Sequence, residues 1–414
     1  MRERRLGCGW RWQLGVAIAS VVLASCAQLR LGSEEGAPGE SRAWVARGDA
    51  LMQEHRQSAA TGTLERAESA YREALRLDPT SPDALVGLAW VHGVEHEFTR
   101  SVELAERALA RAPDHVRAHG VLGDAALELG DYRRAATEYQ AMLDLRPDLA
   151  AYSRVAELFD RTGDPNRAML FMRRAIDAGG SPEQRSWCRA RLARMLWRRG
   201  ALAAAEQELA RALAGSDGNS EVLLVAGTLD AARGDYAGAI AHYETIVSRQ
   251  EHPLALASLG DVYQLLGQSA AAERAYARAE AAFAHHGGNA VSGDLARARF
   301  LAERDGHLEL AEQEALAAYH RHPTGAASDA LAWVYHKQGR NVEADRLIHE
   351  ALRKGVRDAE VLFHAGIIHA SLGRRESARR HLFEAVSLNP TFHPIHAKRA
   401  FALLGEGAVP LEAP

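Results

Sequence analysis

The chain has 414 residues, a formal net charge of -4 and three cysteines, which leaves room for two or three ordinary domains or one long array of small units. So small a charge argues against a surface built for nucleic acid or for an anionic membrane. Aromatics are 6% of the residues, and alanine, leucine, arginine and glutamate dominate, which favours short helices separated by defined turns.

The first 26 residues, MRERRLGCGWRWQLGVAIASVVLASC, start with arginines and continue in an apolar run from Leu14 to Ala24. That run is shorter than the roughly 20 residues of a bilayer span, so residues 1–25 read as a signal peptide. Its end, Leu23-Ala24-Ser25-Cys26, resembles the lipobox of bacterial lipoproteins. The resemblance implies cleavage before Cys26 and a diacylglycerol on its sulfur. With Ala27 next rather than aspartate, it also implies an outer-membrane position facing the periplasm. Two acyl chains, at about 0.8 kcal/mol per buried methylene, make such an anchor durable. Loss of residues 1–25 removes Arg2, Arg4, Arg5 and Arg11 against Glu3, and the mature chain stands near -7. Cys8 leaves with the signal and Cys26 is acylated, so Cys188 is the sole thiol and no internal disulfide can form. Residues 26–42 lack apolar periodicity and read as a flexible tether reaching about 20 Å.

Beyond the tether a glycine recurs at Gly130, Gly163, Gly200, Gly234, Gly267, Gly306, Gly339 and Gly373. Five residues past each stands an alanine: Ala135, Ala168, Ala205, Ala239, Ala272, Ala311, Ala344 and Ala378. Seven residues before it the side chain is small (Gly123, Ala156, Ala193, Gly227, Gly260, Ala332, Gly366), with Arg299 the exception. Nine residues past it lies a larger apolar group, as at Tyr139, Met172, Leu209, Tyr243, Tyr276, Ile348 and Leu382. These offsets describe a helical hairpin: glycine ends the first helix in the left-handed conformation, and small residues let the two helices approach. Pro79, Pro113, Pro147, Pro323 and Pro390 fall where second helices should stop.

The register resembles the tetratricopeptide repeat, a helix-turn-helix unit of about 34 residues. It implies an all-α fold, a right-handed α-solenoid of about ten tetratricopeptide hairpins over residues 43–404. Gly62, Ala67 and Tyr71 repeat the same offsets and place a first unit beginning near Trp44, and TFHPIHAKRAFALLG supplies a C-terminal capping helix. Residues 405–414 read as a disordered tail. In that family the first helices line a concave groove. The matching positions here are Trp90, Asp124, Glu157, Arg161, Arg194, Trp197, Arg198, Asp261, Phe300, Trp333 and His336. Tryptophan, arginine and acidic groups on one wall suit an extended peptide or a partner's helix.

One stretch competes with this scheme. His92, Glu95 and His96 spell H-x-x-E-H, a zinc-peptidase signature. The repeat register instead puts His96 where a turn glycine belongs and Ser101 where alanine belongs. No phosphate-binding loop, G-x-S-x-G elbow or H-E-x-x-H is present. Twelve of the 19 histidines lie from His285 onward, including His285-His286, His320 with His322, and His393 with His396. They fall on different turns and helices and read as solvated or half-buried side chains. The expectation is a non-enzymatic interaction scaffold without cofactor, metal, nucleic acid or small-molecule substrate, lipid-anchored in the cell envelope and bound to a protein or peptide. The alternatives are an envelope zinc metallohydrolase using His92, Glu95 and His96, or a soluble exported binding protein.

Overall fold

The computed structural model describes residues 36–58, 62–216, 218–286, 291–304, 306–354 and 358–405. Cys26, the signal segment and residues 406–414 lie outside them. Among the described residues there are twenty-one helices and no strand. The first twenty pair into ten antiparallel hairpins, numbered here as units 1 to 10. These are Gly36–Ser58 with Thr63–Leu77, Pro82–Val94 with Phe98–Leu109, Val116–Glu128 with Tyr132–Leu145, Leu149–Thr162 with Pro165–Asp177, and Pro182–Arg198 with Leu202–Leu213. They continue as Ser220–Arg233 with Tyr236–Val247, Pro253–Leu265 with Ser269–His286, Val291–Glu303 with Leu308–Arg321, Gly325–Lys337 with Asn341–Arg353, and Ala359–Ser371 with Arg375–Leu388. His396–Gly405 is the terminal helix. None of these helices is long and apolar enough to cross a membrane.

Each hairpin is set by its turn. Gly163 and Gly234 cap their first helices with φ of 87° and 82°, and the other turn glycines take the same left-handed form except Gly306. In unit 2 His96 fills that place with φ 60°, as the register requires. Ser101, in the alanine position, is fully buried and donates its hydroxyl to the Ala89 carbonyl at 2.8 Å. The long intervals also have local causes. Unit 5 has a 17-residue first helix opened by a capping box between Ser181 and Gln184, and the second helix of unit 7 runs for 18 residues.

The seam inside the hairpins is made by tyrosine on glycine. A methyl group placed on Gly227 would stand 2.5 Å from the Tyr243 ring, and one on Gly48 would stand 2.6 Å from Tyr71. Gly123 and Gly260 face Tyr139 and Tyr276 in the same way, and Gly87 of unit 2 meets the Tyr71 ring of unit 1. The residue after the glycine then receives the phenol: Tyr71 donates to Asp49 at 2.7 Å, Tyr139 to Asp124 at 2.9 Å and Tyr276 to Asp261 at 2.8 Å. Burial first, and the Asp49 carboxylate second, push the Tyr71 hydroxyl far above its ordinary range. Gly227→Ala should therefore overpack the seam and cost about 1–3 kcal/mol, read as a lower denaturation midpoint.

Two expectations are corrected. The tether ends earlier than residue 42, because the first helix starts at Gly36 and the buried Ser41 hydroxyl ties it to the Ala74 carbonyl at 3.0 Å. In unit 8 the register is shifted by one residue. Gly306 donates to Leu301 O, the bond made elsewhere by the residue after the glycine, and His307 with φ 51° leads into the second helix. The small position is consequently Ala298, fully buried, and Arg299 moves onto the inner wall.

The superhelix is tight enough for its turns to touch. Asn389 Nδ2 donates to the Trp197 carbonyl at 2.7 Å, and Arg198 Nη2 to Asp358 at 2.9 Å. The rings of Tyr132 and His322 lie 4.5 Å apart. Units 3 to 5 thus carry units 8 to 10 on their turn edge, about five units per superhelical turn. Gly200, with φ 75°, sits directly against the Leu388 carbonyl.

Candidate interaction surface

The first helices stack side by side, so equivalent residues of neighbouring units face one another about 30 to 35 residues apart in sequence. Along units 3 to 6 that spacing builds a ladder of opposite charges, and Arg117 of unit 3 reaches past unit 2 to Asp49 of unit 1 at 2.9 Å. Asp124 meets Arg154 at 2.8 Å, and Glu128 meets Arg161 at 2.8 Å. Glu157 contacts both Arg161 and Arg191, and Glu221 takes Arg191 at 3.4 Å and Arg194 at 3.3 Å. Individually such half-exposed pairs contribute little, typically about 0–1 kcal/mol, but in series they fix the register of adjacent units. Burial, then repulsion from Arg194, lowers Arg191 to about 10, while Glu221 is pulled below its ordinary range because Arg194 and Arg191 outweigh its burial.

The expected groove residues separate into two groups. Trp90, Asp124, Glu157, Arg161, Arg194, Trp197 and Arg198 line the wall of units 2 to 5, and most already hold partners there. Trp90 carries the Arg117 guanidinium 5.8 Å from its ring centre. Trp197 is half-buried with no hydrogen-bond partner for its indole nitrogen. Arg198 bridges Asp160 and Asp358, and the Asp358 carboxylate in particular raises its pKa. Around this junction lies a cavity of about 350 Å³, lined among others by Arg161, Arg199, His322 and Lys354.

The second group is not offered to an outside partner. Trp333 is 1% exposed, stacked on His364 at 4.1 Å. Phe300, rotated inward by the register shift of unit 8, packs on Phe283 at 5.2 Å. His336 is half-buried against Asn341 at 2.7 Å, and burial lowers its pKa. Asp261 accepts from Tyr276 and faces His393 Nε2 at 3.5 Å, and burial pushes it up to about 6. The occupant of this half of the groove is the chain itself. After Pro390 the segment turns inward, and His393 and His396 reach the walls of units 7, 8 and 10. Sequence reasoning placed this segment as an end cap. Pro390 and the H-x-x-H spacing of His393 and His396 were its only local signals.

The H-x-x-E-H stretch does not assemble as a triad. His92, 1% exposed, contacts Glu95 at 3.2 Å and Glu97 at 2.9 Å, with Glu68 nearby. His96 sits instead in the left-handed turn with its ring 5.6 Å from Phe98. The reading of the C-terminal histidines as scattered is also corrected, since His364, His393 and His396 converge although they come from separate segments.

Stacked hairpins with a charged inner wall define a helical-repeat solenoid. Residues 59–115, 86–150 and 121–182 match one model described as tetratricopeptide repeat, and residues 327–360 match another. The chain carries tetratricopeptide repeats over these stretches, and proteins built on that repeat generally serve as non-enzymatic scaffolds for protein interaction. Among solved structures it is similar to a thermophilic tetratricopeptide repeat protein, TTC0263, of Thermus thermophilus, with 19% identity over 49% of this chain and 99% of that one and a TM-score of 0.40. It is also similar to pilF of Pseudomonas aeruginosa, with 20% identity over 58% and 99% of the two chains and a TM-score of 0.41. A third is MamA from Desulfovibrio magneticus RS-1, with 18% identity over 42% and 94% and a TM-score of 0.33.

Proposed function

We propose that this protein is a lipid-anchored scaffold of the bacterial cell envelope. In this reading it is held at the outer membrane through Cys26, faces the periplasm, and binds an extended or helical segment of a partner protein on the concave wall of units 2 to 5. The observation that carries the reading is the chain's own segment on the concave wall of units 7 to 10. A groove of this curvature and polarity already accommodates a peptide there. The wall of units 2 to 5 offers the same kind of surface, a half-buried Trp90 beside Arg117 and a run of carboxylates and guanidinium groups. Such anchors are what peptide grooves commonly use. Leu23-Ala24-Ser25-Cys26 and the charge balance of the mature chain support the anchor and the absence of a nucleic-acid role.

The test is a photo-crosslinking residue placed at Trp90 or Asp124 and, as a control, at exposed Arg107 on the second helix of unit 2. Discrete adducts in the cell are expected from the first two and not from Arg107. Adducts from Arg107 alone, or none at all, would overturn groove binding. Palmitate labelling of the wild type that persists in Cys26→Ser would remove the anchor.

A further inference from the structure

Histidines and carboxylates gather at three places among the described residues: Glu68 with His92 and Glu95, Asp345 with His349 and His369, and Glu303 and Glu360 with His364, His393 and His396. The first has one histidine, and the second includes the exposed His349. The third differs in burial and in the state of its nitrogens. His364 is 1% exposed and His396 is 4% exposed.

His364 Nδ1 is held by Asp329 Oδ1 at 2.8 Å, and Asp329 is held in turn by Arg299 at 3.0 Å. That leaves His364 Nε2 buried with no hydrogen-bond partner, an arrangement that costs free energy unless something fills it. His396 turns its Nε2 to Glu303 Oε2 at 3.2 Å and its Nδ1 toward Glu360 Oε1 at 3.9 Å. Both rings are braced by stacking, His364 on Trp333 at 4.1 Å, and His396 on Phe363 at 4.6 Å and on His393 at 4.2 Å. Each histidine therefore has one nitrogen on a carboxylate, His364 Nδ1 on Asp329 and His396 Nε2 on Glu303, and one buried nitrogen without a hydrogen-bond partner, that of His396 lying 3.9 Å from Glu360. Outer carboxylates of this kind orient metal-binding imidazoles.

We propose that Glu303, His364 and His396 form a site for a divalent transition metal of the zinc class, with Asp329 and Glu360 as outer partners, and that the ion fastens the C-terminal segment to the concave wall. One ligand atom from each of the three residues lies within 4.8 Å of the others. Two ligands of a tetrahedral zinc ion at 2.0–2.1 Å stand about 3.3 Å apart, close to the 3.2 Å between His396 Nε2 and Glu303 Oε2. The third atom, within 4.8 Å of the other two, closes with a side-chain movement of at most about 1.5 Å, and water takes the fourth position. Two imidazoles and one carboxylate are a zinc-type donor set rather than a magnesium or calcium one. A histidine nitrogen binds the ion only without its proton, so affinity increases with pH. His396 comes from beyond Pro390, whereas Glu303 and His364 belong to units 8 and 10. The ion accordingly governs whether the second half of the groove is occupied by the chain or open to a partner.

The experiment titrates detergent-purified full chain, stripped with a chelator and dialysed, with Zn²⁺ by calorimetry and with Co²⁺ by visible absorption. One ion per chain and a tetrahedral cobalt spectrum are expected. Asp329→Asn should weaken uptake by about 10–100-fold and His396→Gln or Glu303→Gln by more, with His92→Ala and His349→Ala unchanged. Trypsin should cut after Lys398 and Arg399 more slowly with Zn²⁺ than without. His396 is at the end of the array, so His396→Gln keeps the test intact if His364→Ala fails to fold. Absence of stoichiometric uptake, or uptake lost in His349→Ala or His92→Ala and retained in His396→Gln, overturns the site.

Discussion

Asp329→Ala should destabilise the protein by about 3–5 kcal/mol, because it strips both partners from a buried charge network. Asp329 is 1% exposed and accepts from His364 Nδ1 and Arg299 Nη2, and without it an imidazole and a guanidinium lose their counter-ion under Trp333. Chemical denaturation with chelator present checks the value. The pH dependence has a defined sign. Burial raises Asp329, but His364 and Arg299 outweigh it and set the carboxyl below its ordinary 3.8. Its contribution is therefore present above that value and lost as pH falls through the lowered one. His364 ends above its ordinary 6.5, so its contribution is complete below 6.5 and lost as pH rises through the raised value. The metal-free protein should be most stable between about pH 4 and 6.5 as far as this pair decides it. The alkaline decline should flatten in Asp329→Asn. An unchanged midpoint in Asp329→Ala would contradict the network.

The second large effect belongs to the contact between superhelical turns, and glycine substitutions isolate it. Gly267 and Gly200 share the left-handed conformation, with φ of 71° and 75°, but a methyl group at Gly267 meets nothing within 4 Å whereas one at Gly200 meets the Leu388 carbonyl. Gly267→Ala should lose only the backbone preference, about 1–2 kcal/mol. Gly200→Ala should lose that and a further amount of about 1–3 kcal/mol from the forced separation. It should also raise the radius of gyration in solution scattering as units 8 to 10 lift from units 3 to 5. Equal costs and equal radii for the two variants would mean that the turns do not touch.

The hairpins were legible because what makes them is local. A left-handed glycine, a small residue seven positions earlier and a larger apolar group nine positions later all act within one unit, and even His96 in a glycine place and Ser101 in an alanine place followed from counting. Unit 8 departs by one residue, which Arg299 in a small-residue position had signalled. The wall was less legible because a side chain's neighbours come from the next unit. Arg299, Asp329 and His364 are 30 and 35 residues apart in successive units, a spacing visible in the sequence once the register is known. The inward fold of the C-terminal segment and the touching turns depend on small rotations summed over five units. No local pattern encodes that sum, so Trp333 and Phe300 were placed on an open wall when they are covered.

The bond from Asn389 to the Trp197 carbonyl alters how the array can come apart. An open stack of repeats loses its end units one after another, each answering only to its neighbour. Here the last unit rests on the fifth, so fraying at the C-terminus removes support from the middle of the chain, and the molecule behaves less like a zipper than like a buckled strap.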